Sequence, residues 1–169
     1  SYPVVAYYAK DTVLNGKSIE EVNVFLGKKH TAKQEAETII EMMEKGGASM
    51  VFHGMSESDI KAIMRYPFNM FASDASIRVY KEGNPHPRGY GTNARVLKKY
   101  VREENVIGLE EAVRRMTSLP AQKFGFTDRG LLRQNFAADI VLFNEAEVGD
   151  RSEYKNPHQY ATGFNYVIV

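Results

Sequence analysis

Apolar positions along the chain fall into short runs and helical repeats that predict an alternation of strands and helices. Tyr2–Ala9, "YPVVAYYA", is rich in β-branched and aromatic residues and predicts a strand. Ser18 and Glu21 have capping-box spacing and open a short helix that ends near Gly27. Thr31 repeats the start signal. The following helix places Ala36, Ile39, Ile40 and Met43 on one face and closes at Gly46-Gly47. "ASMVFHG", Ala48–Gly54, is the next strand, Ser56 with Asp59 opens another helix, and Pro67 follows its end. Phe68, Met70, Phe71 and Ala72 then read as a short buried strand running to Ser73-Asp74. The order β-α-α-β-α-β is typical of a parallel sheet. Residues 75–91 carry no periodic pattern, and long irregular stretches of this kind are often functional. Two helices follow, about Thr92–Glu103 and Leu109–Ser118. After Gly130 the pattern turns to strands alone, "AADIVLF" and "FNYVIV".

Composition adds exclusions rather than a function. The 169 residues include 43% hydrophobic and 25% charged, ordinary for a soluble globular chain, and the net charge of +1 offers nothing to nucleic acid or an anionic membrane. There is no cysteine, so disulfides and thiolate metal sites are excluded. No apolar run approaches the ~20 residues of a membrane span, and a cytoplasmic location is expected. Both ends fall within β-like runs, which predicts a segment of a longer chain.

The candidate chemistry centres on Asp74. An Asp that closes a strand either caps the next turn or points into a site, and its residue type and position allow both. His86 and Arg88 follow in the long loop. His30, His53 and His158 are isolated and lack ligand spacing.

"FASDAS", "NPHPRGYGTNARVLKKYVRE", "LEEAVRRMTSLPAQKFGFTDRGLL", "AADIVLF" and "NPHQYATGFNYVIV" occur in this order. Together with "LNGKSIEEV" and "MVFHGMSESDI" upstream, they resemble the C-terminal part of the D-aminoacylase (N-acyl-D-amino-acid deacylase) family of the metal-dependent amidohydrolase superfamily. The resemblance implies an α/β fold: the end of a (β/α)8 barrel with an inserted small α/β lobe and part of a β-sandwich. Residues 1–55 would be the lobe, 56–130 the end of the barrel and 131–169 strands of the sandwich. It implies hydrolysis of N-acyl-D-amino acids with zinc as cofactor. Asp74, at the end of the eighth strand, would be the catalytic base and a secondary metal contact, taking a proton from a water whose pKa the metal lowers to ~7. Arg88 would hold the substrate's α-carboxylate through a bidentate fork. His86 and Tyr90 would shape or contact the substrate site. The family's paired N-terminal histidines, bridging cysteine and mid-strand histidines are not in this sequence, so the chain alone is expected to be inactive. Two other readings remain: a cyclic-amide hydrolase of the hydantoinase or dihydropyrimidinase type, and a non-catalytic interaction module. A strand such as Phe68–Ser73 without neighbours also predicts self-association or local rearrangement, with residues 66–74 or 137–143 in the contact, or pairing with an N-terminal part of the same protein.

Overall fold

The computed structural model describes residues 3–77 and 79–169. Tyr2, at the start of the first predicted strand, and Arg78, in the long irregular stretch, lie outside them. The chain divides into two compact units.

The first unit contains the residues up to Met55, joined by Ile77–Pro87 and Glu153–His158. Strand β1 (Val4–Tyr7) leads through a single 3-10 turn to helix α1 (Ile19–Phe25), then helix α2 (Ala32–Glu44) and strand β2 (Ser49–Val51). The predicted caps set these boundaries. The Ser18 hydroxyl accepts from the Glu21 amide while the Glu21 carboxylate accepts from the Ser18 amide, and the Thr31 hydroxyl accepts from Gln34 N–H. Val5, Tyr8, Leu14, Ile19, Val22 and Met42 form the core. Buried Thr38 donates to Asn23 at 2.6 Å, so the polar pair joining α1 and α2 is satisfied.

The strand pairing differs from the parallel arrangement expected. β1 and β2 are antiparallel, with Val4 opposite Val51 and Val5 opposite Met50. One helix between two strands returns the chain in its original direction, whereas two reverse it once more. The long irregular stretch is also divided, because Ile77–Pro87 packs into this first unit. There Asn84 N–H donates to the Ala6 carbonyl at 2.6 Å. A Cβ at Gly83 would meet that same oxygen at 2.7 Å, so only glycine fits.

The second unit contains Ser56–Ser76, Arg88–Ser152 and residues from Gln159 onward. Helix α3 (Glu57–Arg65), capped by Ser56, is followed by α4 (Arg88–Arg95), which continues as a π-helical segment over Val96–Glu103. Helices α5 (Leu109–Met116) and α6 (Ser118–Lys123) lead to β3 (Ile140–Phe143) and β4 (Phe164–Ile168). Met64, Val96, Leu97, Tyr100, Val101, Ile107, Ala112 and Val148 make its core. β3 and β4 pair antiparallel, Ile140 opposite Ile168 and Leu142 opposite Tyr166.

The predicted strand at Phe68–Ser73 does not form. The segment begins in a turn at Phe68 and continues without regular structure, and Phe68 is 74% exposed. A strand exists through its ladder, and among the described residues both sheets are two-stranded pairs elsewhere in the chain. Phe71 alone is partly buried against the core.

Candidate active site

Asp74 follows that irregular segment rather than a paired strand. Its φ is +47°, a left-handed conformation that Asp tolerates because its short side chain bonds locally. Such backbone settings cluster at functional sites. Fourteen positions on by sequence number, Arg88 opens α4, and its Nη2 lies 3.0 Å from Asp74 Oδ2. The expectation of a loop arginine is thereby corrected: helix α4 begins four residues before the predicted Thr92. The available signal was Pro87, which suits the first turn of a helix, but Gly89 and Gly91 masked it because glycine is a poor helix former.

Gly91 has a packing reason for being there. A Cβ at that position would sit 2.7 Å from Asp150 Cβ, so glycine lets α4 rest directly on Asp150. The same carboxylate takes Arg95 Nη1 at 3.1 Å, one turn further along the helix. Arg88 is therefore carried on an anchored element. An open cleft of about 340 Å³ lies beside it, lined by Ser73, Arg88, Tyr90, Thr92, Ala161 and Phe164 among others. Tyr90 makes an edge contact with Tyr160, ring centroids 5.7 Å apart. Asp74, Arg88 and Tyr90 thus belong to one unit.

His86 belongs to the other. Its Nε2 lies 3.4 Å from the Tyr154 hydroxyl, and His53 stacks edge-on against the same ring with centroids 4.4 Å apart. His158 Nδ1 accepts from Lys81 N–H at 3.2 Å and its Nε2 faces the Gly83 carbonyl at 2.9 Å, the bonding pattern of a neutral Nε2–H tautomer. His30 Nδ1 stands 3.7 Å from Glu20. Among the described residues no three His, Cys, Asp or Glu side chains converge as a metal would require. The residues present do not by themselves make a zinc site.

A charged cluster that the sequence did not single out lies on α5. Glu111 on α5 accepts from Arg114 Nε at 2.7 Å and from Arg115 Nε at 2.7 Å. These bonds, Arg114 first, pull its pKa from 4.5 to about 2. The folded chain therefore binds this proton less readily than the unfolded chain. The stabilisation from Glu111 is complete above the unfolded value of 4.5 and is lost as pH falls toward about 2. Denaturant titrations at pH 6 and pH 3 are expected to show wild type losing stability over this window more steeply than Glu111→Gln. Equal slopes would remove the cluster's role.

Comparison with known proteins follows the same lines. The sequence profile of the amidohydrolase family matches residues 12–169. The chain is 35% identical over 154 residues to the N-acyl-D-aspartate deacylase of Alcaligenes xylosoxydans xylosoxydans, covering 91% of this chain and 29% of that protein. It is 33% identical over 156 residues to the D-aminoacylase of the same organism, covering 92% and 30%. The crystal structure of N-acyl-D-glutamate deacylase from Bordetella bronchiseptica, complexed with zinc and a phosphonate mimic of the reaction's tetrahedral intermediate, superposes with a TM-score of 0.86 at 30% identity. That superposition covers 99% of this chain and 33% of that one. The chain therefore spans about a third of the length of the relatives it matches. By sequence and by fold, it belongs to the amidohydrolase family.

Proposed function

We propose that this chain is a portion of a zinc-dependent amidohydrolase that cleaves N-acyl-D-amino acids to a carboxylate and a D-amino acid. The observation that carries the reading is the 3.0 Å approach of Asp74 to Arg88, which itself lines an open cleft. An N-acyl amino acid presents a scissile amide and an α-carboxylate within a few bonds of each other, and so asks for a proton acceptor and an anion anchor side by side. Arg88 offers the anchor. A guanidinium has five N–H donors, enough for Asp74 and a substrate carboxylate together. Asp74 takes a proton from the attacking water and returns it to the nitrogen of the leaving amine. Tyr90 lines the cleft and contacts substrate; His86 supports the loop that precedes Arg88. Zinc, when bound, supplies Lewis-acid activation, with ligands other than Asp74 coming from outside the described residues.

Within this reading, residues 1–55 are an inserted small α/β lobe. Residues 56–130 are the end of a (β/α)8 barrel, and 131–169 contribute strands to a β-sandwich. The similarity to N-acyl-D-amino-acid deacylases across nearly the whole chain supports this assignment. Among the described residues no helix is long and apolar enough to cross a membrane. A cytoplasmic location is part of the proposal.

The test compares the 169-residue chain with the complete, zinc-loaded polypeptide that contains it. The complete polypeptide is expected to hydrolyse N-acyl-D-amino acids and leave the L-enantiomers intact, while the short chain does neither. Turnover of L-substrates at equal rate, or metal-dependent deacylation by the short chain, would refute the reading.

The isolated chain is also expected to self-associate. Neighbours on β3 point to opposite faces of the sheet, yet Val141 and Leu142 are 50% and 45% exposed, so neither face is well covered. Light scattering should show dimers or larger species that Ile140→Lys disperses. A monodisperse monomer indifferent to that substitution would count against an open sheet.

A further inference from the structure

The guanidinium of Arg115 lies inside the second unit, and the residue is only 2% exposed. A buried charge persists only where its donors are met. Its Nε donates to Glu111 Oε1 at 2.7 Å, one turn earlier on α5. Its Nη1 faces three oxygens: the Met64 carbonyl at 2.5 Å, the Tyr66 carbonyl at 3.0 Å and Asn69 Oδ1 at 2.8 Å. One Nη carries two N–H bonds, so the three acceptors share them in a bifurcated arrangement. Met64 and Tyr66 lie at the end of α3, where carbonyls lack intrahelical partners and the helix dipole favours a cation.

Adjacent Arg114 extends the same grip. Its Nη2 donates to the Pro67 carbonyl at 3.0 Å while its Nε and Nη2 hold Glu111. Beyond Asn69 the contact passes to the backbone, where Phe71 N–H donates to the Arg115 carbonyl at 3.4 Å. Residues 64–71 are thus tied to α5 at both ends, and Asp74 comes three positions later. This matters because the segment has no strand partner to fix it. On the other side of the ion pair, Arg88 is already anchored through α4 and Asp150.

We infer that Arg115 is a positioning residue: by fastening residues 64–71 to α5, it sets where Asp74 stands against Arg88. Its functional meaning rests on the reading of Asp74 and Arg88 as site residues, but the geometry can be tested without turnover. An arginine is required because only a planar fork reaches Glu111 through Nε and the carbonyls through Nη1 at once.

The test follows the side-chain guanidinium NMR signal of Arg88 in the labelled 169-residue chain. Asp74→Asn marks the position of that signal when the pair is broken. Arg115→Met is expected to move it most of the way there and to speed amide exchange at Phe71 at least tenfold, with Arg115→Lys restoring part of both. Ile107→Ala, which opens a cavity in the same core, is expected to leave the signal in place. An unmoved signal in Arg115→Met, or an equal shift in Ile107→Ala, would overturn the inference. Should Arg115→Met fail to fold, Asn69→Ala removes one acceptor only; a smaller shift in the same direction supports the inference and none overturns it. The catalytic role of Asp74 fails separately, through undiminished hydrolysis by an Asp74→Asn enzyme, which would leave the measured position of the pair untouched.

Discussion

Replacing Asp74 by Asn in the complete, metal-loaded enzyme is expected to lower kcat for an N-acyl-D-amino acid by about 10³-fold, within the range typical of a lost general base. The amide has the shape of the carboxylate but cannot take a proton from water at neutral pH. Folding should be unaffected. The side chain is largely solvent-exposed, and Asn adopts a φ of +47° as readily as Asp does. KM should change much less than kcat, because proton transfer belongs to the transition state while Arg88 still anchors the substrate. Steady-state kinetics together with a thermal melt decide the matter. A kcat within threefold of wild type, in a protein that melts normally, would exclude Asp74 as the base.

Arg88→Met should act on the other kinetic constant. A charge-assisted hydrogen bond is worth roughly 1.5–3 kcal/mol, and losing a bidentate pair therefore costs about 3 kcal/mol. At 1.4 kcal/mol per factor of ten, kcat/KM falls by about a hundredfold, chiefly through KM. Arg88→Lys should recover only part, since an ammonium keeps the charge but not the fork. The discriminating substrate is an N-acyl amine that lacks the α-carboxylate. Wild type and Arg88→Met should turn it over at similar rates, and a further hundredfold loss there would show that Arg88 serves the chemistry rather than the carboxylate. Preference for the D-enantiomer should narrow in the same variant, because the anchor that orders the substituents at the α-carbon is gone.

Much of the chain's local structure was determined by the sequence alone. Ser18 with Glu21, Thr31 and Ser56 start α1, α2 and α3 where their capping chemistry says, and β1, β2, β3 and β4 each lie inside the apolar runs that predicted them. These features depend on neighbours a few residues away, so a linear reading contains their causes. Asp74, Arg88 and Tyr90 were also nameable from the sequence, through motif order rather than geometry. Tertiary structure decided the rest. It made β1 and β2 antiparallel, left Phe68–Ser73 unpaired, started α4 at Arg88 and drew Ile77–Pro87 with His86 into the first unit. It also buried Arg115 against Met64, Tyr66 and Asn69, partners some fifty positions away that no periodicity links to it. A ladder, a buried charge and a glycine contact such as Gly91 on Asp150 each need a partner brought near by the fold, and their energies do not exist until that partner arrives.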